Sequence, residues 1–225
     1  MNAGYGPPMQ VDDDTWVKNF SASLPGSYRN RYDTDEIRVH AAIARLRGNS
    51  PARIGVVPVA GDGVGICVVA QDSPSLFSNI AAALRFQGFD IIHAEAYTRK
   101  LPSGEREVID LFRLQPQRGR PNAASAATDV AAAIAATLHD ILAGKLDPSQ
   151  AQPAPQSEPD GSLHDTRVRF IEGDDGALGT LEVETGDRSG LLFTLACALS
   201  NQKVSVERSE VSTVNSRVRD RFILA

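Results

Sequence analysis

Two five-residue segments carry the clearest chemistry in this chain. They are Asp72-Ser73-Pro74-Ser75-Leu76 and Asp187-Arg188-Ser189-Gly190-Leu191, 115 positions apart. Each is a turn that opens an apolar helix. The first N–H groups of a helix have no internal partner, so they attract a carboxylate. Pro74 stiffens its turn, and Gly190 lets a ligand approach the backbone. Asp72 or Asp187 could meet an ammonium group. Together these could receive the two ends of an amino acid. The plain alternative is that each aspartate only caps its helix. By this reading Ser75 costs the first loop some backbone access but offers a hydroxyl, whereas Gly190 keeps the second loop open.

Other reactive residue types lack a supporting pattern. His40, His139 and His164 are scattered, and His139-Asp140 sits in an alanine-rich helix without further ligands. Cys67 and Cys197 lie among apolar residues and read as buried thiols. Two cysteines supply neither a multi-bridge framework nor a four-cysteine zinc site. Gly61-Asp62-Gly63-Val64-Gly65 precedes a strand rather than a helix, so it reads as a turn, not a phosphate loop. Asp12-Asp13-Asp14 has no strand to hold it as a metal pair. No catalytic triad or cofactor motif stands out; the expectation is no cofactor and no metal.

The elements that would position the two loops are legible in the hydrophobic pattern. A helix is expected from Thr34 to Arg47, with Asp33 and Glu36 as a capping box and Gly48 as the stop. Strands are expected at Arg53–Val59, Gly65–Ala70, Asp90–Arg99 and Glu107–Leu114. Helices are expected at Ser75–Gln87 and Ala123–Ala143. Residues 147–165 read as a proline-rich linker, and Thr166–Glu172 as a further strand, the fourth of the first unit. Residues 1–23 read as a mobile tail, although Trp16 and Phe20 could dock.

The pattern then repeats. Leu76, Ile80, Ala81, Ala83 and Leu84 match Leu191, Leu195, Ala196, Ala198 and Leu199, and Glu95 and Thr98 match Glu210 and Thr213. With a turn five residues shorter, Asp110-Leu111-Phe112 matches Asp220-Arg221-Phe222. A repeated supersecondary unit points to copied domains. The expected fold is α+β: two ferredoxin-like βαββαβ units in tandem, each with helices on an antiparallel sheet. The second, at 166–225, is incomplete after its third strand; the first spans 52–146, behind a helical lead-in at 24–51.

Composition narrows the function classes. Of 225 residues, 42% are hydrophobic and 23% charged, with a formal net charge of −5. An acidic chain is a poor generic nucleic-acid binder. Arg217, Arg219 and Arg221 alternate on the last strand and read as one solvated or partner-facing surface. Phe222 alone is too little aromatic surface for RNA stacking. No run is long and apolar enough to span a membrane, and the N-terminus does not resemble a signal peptide, which leaves a cytoplasmic expectation.

At the two loops the chain resembles the ACT domain family, small regulatory domains with a strand, Asp-x-Pro-Gly-Leu, then a helix. Each copy departs once: Ser75 replaces the usual Gly, and Ser189 the usual Pro. The tandem, with the preceding Leu24-Pro25…Tyr28…Arg31-Tyr32…Glu36-Ile37…His40, is similar to the ACT pair that ends the bacterial PII uridylyltransferase/uridylyl-removing enzymes. The metal carboxylates of nucleotidyl transfer and a His-Asp hydrolase pair are not found here, so the resemblance implies a regulatory part rather than an enzyme. It also implies that Ile91 and His93, with Val206, face the loops as further ligand contacts. The implied effector is an amino acid, glutamine first, in nitrogen-metabolism control. A homodimer or a partner through the sheet edges is expected; the alternatives are an assembly module without a small ligand, or a fragment of the enzyme.

Overall fold

A computed structural model describes residues 11–59, 63–117, 127–151, 166–173, 179–186, 190–204, 206–214 and 217–224. These form six α-helices and eight strands in one antiparallel sheet. The elements are α1 (Val11–Ala22), α2 (Gly26–Arg31), α3 (Thr34–Arg47), β1 (Ala52–Val57), β2 (Val64–Gln71), α4 (Leu76–Phe86), β3 (Phe89–Lys100) and β4 (Arg106–Pro116). After them come α5 (Ala127–Leu142), β5 (Arg167–Ile171), β6 (Thr180–Gly186), α6 (Leu191–Asn201), β7 (Val206–Val214) and β8 (Arg217–Leu224).

The sheet order is β1-β2-β4-β3-β7-β8-β6-β5. Each half is the same ββαββ path, and the halves meet along β3 and β7. That seam carries the repeat's symmetry. His93–Tyr97 pair antiparallel with Arg208–Ser212, centred on Glu95 opposite Glu210, its counterpart in the repeat. A pseudo-two-fold axis therefore passes between equivalent residues of the two copies, as in an isologous dimer.

This arrangement corrects one expectation. The 166–172 strand is not the fourth strand of the first unit. As β5 it pairs with β6 at the far edge, and β1 takes the outer position beside β2 in the first half. Local pattern cannot distinguish these pairings, because both strands are short and flank their units.

The two faces of the first half are both covered. β2 is buried on each side: Ile66, Val68 and Ala70 join the core under α4 and α5, while Cys67 and Val69 join a second core under α1–α3. Burial on both faces explains its continuous apolar run. The stretch 11–22, expected to be mobile, is helical: Phe20 is buried, and the Trp16 indole N–H donates to Ala41 O at 2.9 Å. The Arg99 guanidinium lies 4.6 Å from the Phe20 ring centroid. Docking onto α3 and the sheet orders a segment whose own composition gives little helical drive. Residues 1–10 lie outside the described residues.

The α3 capping box forms as expected: Asp33 accepts from the Asp35 and Glu36 N–H groups, and Glu36 accepts from Asp33 N–H. Part of the expected linker is ordered, because Pro148–Ala151 makes a 3-10 turn and Ala151 packs on the main core. The remainder, 152–165, lies outside the described residues. Cys67 is buried and Cys197 half-buried, both as free thiols.

Candidate functional site

The first loop opens onto a cavity of about 380 Å³ at the seam between the halves. One wall is the loop itself, Asp72 through Leu76, with the first turn of α4. The opposite wall comes from the other repeat: Ala196, Leu199 and Ser200 of α6, then Lys203, and Val206 of β7. The floor is the helix-side surface of the sheet, with Ala96 and Thr98 from β3 and Val108 and Asp110 from β4.

Asp72 does not cap α4. The N-cap is Ser75, held in the left-handed region at φ 63°, and no side chain caps the helix. Asp72 instead accepts from Arg106 Nε at 2.8 Å, and the same guanidinium bridges to Glu207 of the other repeat. Arg106 thus ties the loop across the seam. The Ser75 and Ser200 hydroxyls are hydrogen-bonded across the cavity mouth at 2.6 Å. The uncapped first turn of α4 leaves backbone N–H donors for an anion.

Asp110 is the group that the sequence reading missed. It sits on β4 between Val108 and Phe112, all three facing the helices. It is 2% exposed, and its Oδ1 has no hydrogen-bond partner among the described residues. Burial first, then the nearby Asp72 charge, pushes its pKa well above the usual carboxylate range. The signal available in sequence was a polar residue at a core-facing step of an alternating strand, but alternation does not say which face is core.

The second loop lies differently. Asp187, Arg188 and Ser189 are outside the described residues. Gly190 and Leu191 are described; Gly190 is the left-handed N-cap of α6 at φ 78°, the counterpart of Ser75. The space beside it is only about 30 Å³. Arg85, the counterpart of Ser200, fills it: a Cβ added to Gly190 would lie 2.6 Å from Arg85 Nη1. Arg85 also pairs with Asp90 at 3.6 Å. The expected ranking of the two loops is therefore reversed among the described residues: the serine loop faces open space and the glycine loop faces an arginine.

Ile91 and Val206 occupy equivalent places beside the second and first loops respectively. His93 does not join them. The β3 register shifts between Ile91 and His93, and β7 shifts at the equivalent Val206 and Arg208. This bulge reverses the alternation, so His93 lies on the opposite face. There its Nε2 is 2.9 Å from Glu95 Oε1.

Glu95 gathers donors from three directions. Arg31 Nε donates at 3.0 Å, Tyr32 O–H at 2.5 Å and Tyr97 O–H at 2.7 Å. Burial alone would raise its pKa, but the hydrogen bonds from His93, Tyr32 and Tyr97 and the Arg31 charge outweigh it and hold it at about 2. Beside it the Tyr28 hydroxyl bonds His40 Nδ1 at 2.8 Å, and burial lowers the His40 pKa to about 4. This network clamps the lead-in helices to the sheet. No group of three or more His, Cys, Asp or Glu with metal-binding geometry occurs among the described residues. Nor is any described helix long and apolar enough to cross a membrane.

The fold and seam define a duplicated α+β unit with one open and one filled inter-repeat site. In sequence, the chain resembles bacterial bifunctional uridylyltransferase/uridylyl-removing enzymes. It is 30% identical to that of Rhodospirillum rubrum over 161 residues, 70% of this chain and 16% of the relative. With the Xanthomonas axonopodis pv. citri enzyme it shares 27% over 222 residues, 95% and 24% of the respective chains. With the Ruegeria pomeroyi enzyme it shares 27% over 161 residues, 72% and 17%. The chain thus spans 16–24% of the length of these relatives. No family model matches it, and no solved structure does.

Proposed function

We propose that this chain is a regulatory region built from a tandem pair of ACT-type domains, which binds an amino-acid effector in the cavity beside Ser75. The observation that carries this reading is the cavity's position. It lies where the first loop meets the other repeat, so an occupant would touch both halves at once. Its volume falls in the range of small-molecule sites. An effector carboxylate fits the uncapped start of α4 and the Ser75 hydroxyl, with Lys203 nearby. Binding there would stabilise one relative placement of the repeats, and regulation would follow as a population shift.

The resemblance to the PII uridylyltransferase/uridylyl-removing enzymes implies nitrogen-metabolism control and makes glutamine the first effector to test. No transferase activity is assigned to this region by itself. Calorimetric titration of the full chain with the twenty amino acids tests the proposal. A saturable signal with one of them, lost in Ser200→Arg, supports it. Silence across the panel overturns it.

A second reading has its own observation. On the outer strand β5, Val168 and Phe170 are 63% and 60% exposed. An apolar edge strand is a pairing surface, which favours an assembly module. A monomer at micromolar concentration in sedimentation would count against that reading.

A further inference from the structure

The cavity's wall supplies receptors for an anion, but its floor is acidic. We infer that the Asp110 carboxylate receives a protonated amine, so that the cavity selects ligands carrying a primary ammonium. The inference deepens the effector-site reading above and rests on it. Asp110 is buried between Val108 and Phe112, and its Oδ1 lacks a partner among the described residues. A buried carboxylate without a counter-charge is costly. Asp72 is already engaged by Arg106 at 2.8 Å, a guanidinium it shares with Glu207, whereas Asp110 Oδ1 has no such partner among the described residues. An ammonium entering from the mouth would supply the missing charge to Asp110.

The second half offers an internal comparison. Asp220, the counterpart of Asp110, is also fully buried. The seam site on that side is occupied by the chain's own cation, the Arg85 guanidinium beside Gly190. On the open side the equivalent position is Ser200, which brings no charge. The same seam position is thus filled by an arginine, itself paired with Asp90, on one side and left open beside Ser200 on the other.

The charged and titratable groups around Asp110 are Asp72 on the loop, Arg106 at the start of β4, Lys203 after α6 and Glu207 on β7. Cys67 lies on the reverse face of the adjacent strand. Burial, then the Asp72 charge, raises the Asp110 pKa, and an ammonium seated beside it acts in the opposite direction, toward proton release.

The test is calorimetry on the full chain and on Asp110→Asn, which keeps the side chain's shape. Each of the twenty amino acids is titrated, together with the same compounds lacking the α-amine (glutaramic acid for glutamine). Each binder is measured in two buffers of different ionisation heat. The expected result is a binder whose des-amino analogue and whose binding to Asp110→Asn are each weakened about 100-fold. Wild type releases a proton on binding and the variant does not. Retained binding by the des-amino compound, or by Asp110→Asn within about threefold, overturns the amine assignment. The cavity reading would survive if Ser200→Arg still abolished that binding. Silence of every compound on wild type overturns both. A melting curve with a single cooperative transition verifies that Asp110→Asn is folded before either comparison is made.

Discussion

The two halves of the sheet follow the same path, yet they differ in what covers them. In the first half α4 and α5 pack side by side on one face of the sheet, and α1–α3 cover the reverse face. In the second half α6 has no counterpart of α5 among the described residues, and β5 is exposed along its whole length. The seam differs too: Ser200 faces Ser75 in one site, and Arg85 faces Gly190 in the other. A duplicated backbone therefore does not imply duplicated sites. The residue at the end of the opposing helix is a serine at the open site and an arginine at the filled one.

The largest test of this contrast concerns packing. Ile80 is fully buried in the core that α4 and α5 share with the sheet, whereas its counterpart Leu195 is only partly buried. Ile80→Ala is expected to cost about 4 kcal/mol, and Leu195→Ala about 1–2 kcal/mol. Urea denaturation of both variants checks the ranking; equal losses would mean that the halves are equally enclosed.

The reverse face gives the next effect. His40 is held neutral by burial, with its pKa lowered from 6.5 to about 4. The unfolded chain binds that proton more readily, so stability falls as pH drops from about 6.5 to about 4. The full effect is about 3 kcal/mol. Glu95 adds acid sensitivity lower down: its depressed pKa contributes stability that is full above about 4.5 and is lost as pH falls from there to about 2. The second half has only Arg208 and Glu210 at the equivalent places, paired at 3.0 Å near the surface. His40→Gln should flatten the profile between pH 6.5 and 4, measured as urea midpoints; an unchanged slope would assign the acid sensitivity elsewhere.

Exchanging the residues across the seam addresses the sites directly. Ser200→Arg should weaken effector binding at least about 100-fold, equivalent to about 2.7 kcal/mol. Arg85→Ser should open the second site and raise the calorimetric stoichiometry from one to two. A stoichiometry that stays at one would show that residues beyond Arg85 keep that site closed.

The smallest effect separates the two N-caps. Ser75 holds a left-handed conformation that glycine adopts freely. Ser75→Gly should change stability by at most about 1 kcal/mol, strain relief being offset by the lost Ser75–Ser200 bond. Gly190→Ala should cost more, because its Cβ would displace Arg85 as well as strain the backbone. Thermal unfolding of both variants compares them.

What the sequence alone determined was local or periodic. The Asp33 and Glu36 capping box marks the start of α3 because both partners lie within one helical turn. The apolar runs mark β2 and β4 because side-chain alternation and β-branching are strand properties. The 115-residue register announced the duplication, and the seam centred on Glu95 and Glu210 obeys it. The rest depended on contacts between distant segments. Ordering of α1 came from docking Trp16 and Phe20 onto α3 and the sheet. The outer place of β1 is a choice between two edge strands that no local pattern makes. The bulge after Ile91 sent His93 to the other face, because one extra residue inverts an alternation. Arg85 lies 105 residues from Gly190 in the chain, and Asp110 gained its significance only when α4 and α6 closed over it. Burial, which gives both residues their roles, is a property of the assembled halves rather than of either segment.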